Sequence, residues 1–313
     1  MRFSRKTKLI GLSAFVEDPV SSGDGYRKLL LRRISALMKQ GEKITWALAR
    51  RASFLTFLLL MVSLWFPFKT AFAQVETDYL FQYEEYRTAY NNFLVARDKY
   101  LKYKTLTARD EALEKTKKII LQRDEVLRTY FIALRTKITT ATISPLTLKD
   151  ETLKKIDEET KWLEQHKEKA NNTPFANYQQ LFSLSSELES KQLTIYKLIY
   201  QSLTLINLEK NQSLQQDTVF LWEALNDEVE ASSGADLQGK LVPWLTATKE
   251  KNRLAEQQTN LSKDKLDELN KIEKLEELVK IYNQIESFLD TGIKYLKESF
   301  SYQKEIFSLL TNG

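Results

Sequence analysis

After residue 73 the apolar positions recur in steps of three and four, and sustained two-residue alternation is absent. That period belongs to helices with one buried face. Gly and Pro mark where such helices stop. Beyond residue 73 the only prolines are Pro145, Pro174 and Pro243, and the only glycines are Gly234, Gly239, Gly292 and Gly313. They divide this part into helical stretches at about 76–142, 147–170, 174–231 and 243–311. The expected fold is all-α, an elongated antiparallel helical bundle or set of coiled-coil hairpins after an N-terminal signal peptide. The expected organisation is a leader over 1–73, a helical hairpin over 74–142, central helices over 143–231, a loop over 232–243 and a long helical segment over 244–313. Residues 74–313 are expected to form one extended all-α unit.

The first stretch is too long for one helix and weakens at Thr105-Leu106-Thr107, where β-branched residues gather. Thr107 followed by Asp110 reads as a helix start. Before this break, Tyr79, Tyr83, Tyr86, Tyr90, Phe93 and Tyr100 form an aromatic stripe, with Arg97 at its one polar step. After it, Leu113, Ile120, Leu127 and Leu134 recur every seven residues. A turn centred on Leu106 and Thr107 pairs Tyr79 with Leu134, Tyr86 with Leu127, Phe93 with Ile120 and Tyr100 with Leu113. Aromatic rings also stack on sugars and lipids, but apolar partners in register favour a core seam.

The 147–170 stretch is capped by Thr147 or Asp150 and carries Leu153, Ile156, Trp162 and Leu163. His166, the one histidine, lies a turn after Trp162, so the two rings should cover one another at the helix surface. Within the next stretch, residues 193–208 hold Lys197 as their single charge. Lys197, Gln201 and Asn207 interrupt the apolar face, so this is a buried helix, not a membrane span. In the last stretch Leu254, Leu261, Leu275, Tyr282, Leu289, Leu296 and Leu310 share a seven-residue register, with Glu268 and Gln303 as breaks. Before Leu275 that seam is thin. After it, Leu278, Ile281, Ile285, Phe288, Ile293, Phe300 and Ile306 widen it. Leu254 and Leu261 therefore look too sparsely supported for deep burial and are the candidate partner-binding residues.

Residues 54–66 are apolar, preceded by Arg50-Arg51 and followed by Pro67, Lys69 and Ala71-Phe72-Ala73. The run is too short to span a bilayer as a helix. A basic flank, a short apolar core and a small-x-small triplet make a secretory signal peptide with cleavage after Ala73. An uncleaved signal anchor is the alternative. The leader is long, and Met38 would give a shorter one. Residues 26–37 could instead lie as a basic amphipathic helix on an anionic membrane face. Arg50-Arg51 hints at twin-arginine export, against which Ser53 stands where an apolar residue is usual.

The charge balance follows this division. The chain of 313 residues has a formal net charge of +5. Residues 1–73 hold 13 basic and 4 acidic residues, leaving 34 basic and 38 acidic residues beyond them. The part after the leader is therefore slightly acidic, which removes the support for nucleic-acid binding. With no cysteine and one histidine, thiol nucleophiles, disulfides and multi-histidine metal sites are excluded. A Glu-x-x-His ligand pair fails because Leu163 stands where the glutamate belongs. No glycine-rich phosphate loop and no Gly-x-Ser-x-Gly element occurs after the leader. Runs such as Asp157-Glu158-Glu159 read as solvated helix faces. Asn171, Asn211 and Asn260 open glycosylation sequons that matter only in a eukaryotic secretory route.

No catalytic, cofactor-binding or metal residue is therefore expected. The expected function is an exported, non-enzymatic scaffold or adaptor that binds a protein or cell-envelope partner through helix faces. Homo-oligomers through coiled-coil pairing are possible partners, and the leader touches membrane during export. A membrane-inserting or membrane-remodelling helical protein of pore-forming type is the alternative.

Overall fold

The computed structural model describes residues 68–142, 146–174, 176–231 and 235–312. The apolar run at 54–66 and the rest of the leader to Pro67 lie outside the described residues. Six helices occupy nearly all the rest: α1 Phe68–Tyr103, α2 Leu106–Thr140, α3 Leu146–Asn172, α4 Tyr178–Ala231, α5 Ala235–Leu269 and α6 Leu275–Asn312. There is no strand among the described residues, so the fold is all-α. The expected cleavage point after Ala73 falls inside α1, and processing there would trim the start of that helix.

α1 and α2 run antiparallel about a two-residue turn. Lys104 takes a left-handed conformation, φ 50°, and its N–H closes the last turn of α1 on the Tyr100 carbonyl at 2.8 Å. Thr105 Oγ1 then accepts from Ala108 N at 3.2 Å and caps α2. The cap is Thr105, not Thr107, so the turn sits earlier than the capping pattern of Thr107 and Asp110 predicts. Every cross-pair moves by about one helical turn. Tyr79 meets Tyr130 at 4.9 Å between ring centroids instead of Leu134. Lys99 Nζ bonds Glu111 Oε2 at 2.6 Å.

The seven-residue stripe of α2 also has a different partner. Leu113 and Ile120 pack with Ala170, Leu181 and Leu184 of α3 and α4. α2 touches α1, α3 and α4, so it carries more than one buried face, and Leu113 and Ile120 lie on the one that meets α3 and α4.

α4 is 54 residues long, about 80 Å at 1.5 Å per residue. Its first half meets α2 and α3, and its second half meets α5 and α6. Between these halves, six consecutive residues, Gln201 to Ile206, are buried on all sides. The low charge of 193–208 serves this position, where the two sets of helices adjoin.

Two boundaries differ from expectation. The loop at 232–243 is shorter, because α5 begins at Ala235 and carries Pro243 inside it. Pro243 has no N–H to offer the carbonyl four residues back. That carbonyl belongs to Gly239, which is exposed. The segment over 244–313 is not one helix, because residues 270–274 turn the chain back. Lys271 N bonds Glu268 O at 2.9 Å and Leu278 N bonds Lys274 O at 3.0 Å, so backbone closes both ends without Gly or Pro. The return lays α6 antiparallel to α5, with Ser299 Oγ donating to Asn252 Oδ1 at 2.6 Å.

Candidate functional site

Among the described residues the most deeply buried pair of titratable side chains is held by α2 and α3 against α4. His166 Nδ1 lies 2.7 Å from Asp124 Oδ2, and its Nε2 lies 3.0 Å from the Leu184 carbonyl oxygen. Both side chains are almost fully buried, at 2% and 0% exposure. The carbonyl can only accept, so Nε2 carries a proton. Trp162 stacks on the imidazole at 4.9 Å, as the spacing predicts. However, only Trp162 reaches the helix surface, half-buried, while His166 lies buried beneath it where its ring meets Asp124.

Charged groups surround this pair. Lys191 Nζ lies 4.2 Å from the Trp162 ring centroid and bonds both Glu159 oxygens at 2.8 and 2.7 Å. Glu125 accepts from Arg128 and Lys167, and the Arg128 bonds foremost hold its carboxyl down at about 2. Arg123 has Nε and Nη2 buried without a hydrogen-bond partner. Burial lowers its pKa, and the charge of Asp124 opposes that.

Both ring nitrogens of His166 are engaged, which leaves it no lone pair aimed at solvent. What the arrangement does is fix α2, α3 and α4 against one another. Asp124 is the partner that the sequence reading missed. A signal was present, because Asp124 occupies a core step between Ile120 and Phe131, both buried. An acid inside an apolar stripe needs a partner.

The candidate binding residues Leu254 and Leu261 lie on α5. Its buried face comprises Leu241, Leu245, Thr248, Asn252, Ala255, Thr259, Ser262, Leu266 and Leu269. Leu254 is half-buried beside that face, and Leu261 is exposed at 36%. Leu261 borders an open depression of about 300 Å³ whose other lining residues are Arg253, Glu256, Gln257, Asn260 and Asp264, all on α5. Asn260 is exposed, whereas Asn211 is buried at 1%, which leaves the sequon at Asn211 inaccessible.

A third cluster marks the middle of α4. Tyr200 stacks on Tyr282 at 4.3 Å. Burial, with the Glu286 charge, pushes the Tyr282 hydroxyl far above its ordinary pKa. Glu286 accepts from Asn207 Nδ2 at 3.1 and 3.3 Å. Burial raises its carboxyl, and the Asn207 bond opposes the rise.

Among the described residues no group of three or more His, Asp or Glu side chains is placed to hold a metal ion. No helix among them is long and apolar enough to cross a membrane. Comparison with protein-family models, with curated proteins and with solved structures found no match to the chain.

Proposed function

We propose that the chain is an exported, non-enzymatic helical scaffold or adaptor. Its helices form an elongated antiparallel bundle with coiled-coil hairpins, and it binds a protein or cell-envelope partner through an exposed helix face. The observation that carries this reading is Leu261. It is an exposed leucine on a helix whose opposite face is already filled, and it borders a depression lined by polar side chains. A leucine so placed suits pairing with a further helix, from a second copy or from a partner. The occupied ring nitrogens of His166 favour binding over acid–base work. Export is proposed from the basic flank, apolar core and Ala71-Phe72-Ala73 of the leader.

The test substitutes Leu261→Glu, alone and with Leu254→Glu. Analytical ultracentrifugation and affinity capture from the extracytoplasmic fraction should show association lost while circular dichroism keeps the wild-type helix signal. Unchanged association in both variants rejects this face. N-terminal sequencing of the native protein should begin at Gln74. A turnover that is abolished by His166→Ala, with the fold intact, would end the non-enzymatic reading.

A further inference from the structure

The turn between α1 and α2 exposes a run of side chains that no part of the fold uses. All residues from Leu101 to Thr107 are exposed, and Leu101, Tyr103 and Leu106 are 43%, 59% and 65% accessible. In the cluster that α2 shares with α3 and α4, the α2 residue nearest to the turn is Leu113. Leu106 lies about 10 Å beyond that at 1.5 Å per residue. Three large apolar groups at a projecting end are an interaction surface, not a packing residue of the core.

The charges at this end are uneven. Asp98 pairs with Arg97 at 2.8 Å, Asp110 with Arg109 at 3.1 Å, Glu111 with Lys99 at 2.6 Å and Glu114 with Lys115 at 3.3 Å. Each acid near the turn is thus neutralised locally. Lys102 and Lys104 have no acidic partner among the described residues. Lys102 Nζ instead lies 5.0 Å from the Tyr103 ring centroid. Lys104 takes φ 50°, a conformation that Gly or Asn adopts more cheaply. A lysine there keeps its charge at the apex at a conformational cost. The Thr105 cap and the Lys104–Tyr100 bond fix the turn, so little ordering remains for it to lose on docking.

We propose that this turn is a docking tip for an anionic lipid surface. Leu101, Tyr103 and Leu106 enter the headgroup layer while Lys102 and Lys104 meet lipid phosphates. Apolar and aromatic groups flanked by unpaired lysines suit that boundary, where one end of each side chain is apolar and the other wet. An acidic protein would need a shaped pocket for the three apolar groups, whereas a lipid surface does not. The inference uses the tip alone and stands independently of the α5 reading.

The chain has no cysteine, so one can be added as a reporter. Thr107→Cys in the full chain, labelled with an environment-sensitive fluorophore, places the probe beside the tip and leaves its apolar groups intact. Emission should brighten and shift to the blue on mixed phosphatidylglycerol–phosphatidylcholine vesicles and stay unchanged on pure phosphatidylcholine. Adding Lys102→Glu with Lys104→Glu should lower the apparent affinity at least about tenfold. The same label at Glu256→Cys on α5 should stay silent. A silent probe at the tip on the mixed vesicles overturns the proposal, and so does an equal response to neutral lipid. A response to rising protein concentration without lipid also overturns it and assigns the tip to a second copy.

Discussion

The helices before the middle of α4 and those after it have similar texture but different interiors. In the first region the buried polar set is Asp124, Thr129, Thr152, Glu159, His166 and Thr173, three of them titratable. In the second it comprises Asn211, Thr218, Thr248, Asn252, Thr259, Ser262, Ser299 and Gln303, none of them charged. The first region joins its helices through paired charges under aromatic cover. The second joins them through small and neutral groups, which lets helix backbones approach closely. Gly292 shows the limit, because a Cβ there would stand 3.3 Å from Asn211 Oδ1 and 3.6 Å from the Ala255 carbonyl oxygen. A buried charge pair stabilises little in net terms but punishes the loss of one partner. A close small-residue contact punishes added volume instead.

The sharpest way to break the comparison is to remove one member of the buried pair. His166→Ala or Asp124→Ala should each cost about 1–3 kcal/mol, because a fully buried polar group is left without its hydrogen-bond partner. Replacing both with Leu should cost less than the two single losses together. Urea unfolding followed by circular dichroism measures all three. Should His166→Ala prove as mild as an exposed substitution, the first region is not held by this pair. Gly292→Leu probes the other interior and should cost about 1–3 kcal/mol through overpacking. If Gly292→Leu is neutral by the same measurement, α4, α5 and α6 are not as closely apposed there as the 3.3 Å contact implies.

Much of this contrast was legible along the chain, and its limits have physical causes. The helical class, the burial of the low-charge stretch 193–208, the Trp162–His166 stack and the marginal burial of Leu254 and Leu261 all follow from local composition and spacing. The α1–α2 register did not, because Thr105 and Thr107 are both credible caps and a shift of two residues moves every pairing by a turn. The partner of the Leu113 and Ile120 stripe was missed because periodicity shows that a face is buried, not what buries it. The reversal at 270–274 contains neither Gly nor Pro. Its trace was the widening of the seam after Leu275, which the spacing presents as a change of burial along one long helix and not as a helix boundary. Asp124 lies 42 residues from His166, and local spacing carries no information on that pairing.

Smaller effects separate the regions by pH. Glu125 in the first region is held at about 2, chiefly by its bonds from Arg128, against an ordinary 4.5. A lowered carboxyl stabilises the fold above its unfolded pKa, and that contribution is lost as pH falls from about 4.5 to about 2. Glu125→Gln should flatten the acid limb of the stability curve across that window. The change should be about 1 kcal/mol or less, since Arg128 and Lys167 remain partly solvated. Thermal melts at stepped pH read it directly. An acid limb that is identical in both proteins would show that this network adds nothing measurable.

The smallest effect belongs to Glu286, at the junction of the two regions, and its sign is opposite. Burial raises its carboxyl, with Asp290 adding to the rise, while Asn207, Tyr282 and Lys210 oppose it. A group whose folded pKa is raised contributes fully below its unfolded pKa and loses that contribution as pH rises through the folded value. Above its folded pKa the wild type therefore bears the cost of an ionised, partly buried carboxylate, and glutamine does not. Glu286→Gln keeps an oxygen that can accept from Asn207. Its melting temperature relative to wild type should climb as pH rises from 4 to 8 and level off once the wild-type carboxyl is ionised. Glu125→Gln should change most below pH 4.5, so the two variants dissect the curve from opposite ends. If Glu286→Gln instead loses ground to wild type as pH rises, the Asn207, Tyr282 and Lys210 contacts outweigh burial. The junction would then resemble the charge-paired region, not the neutral one.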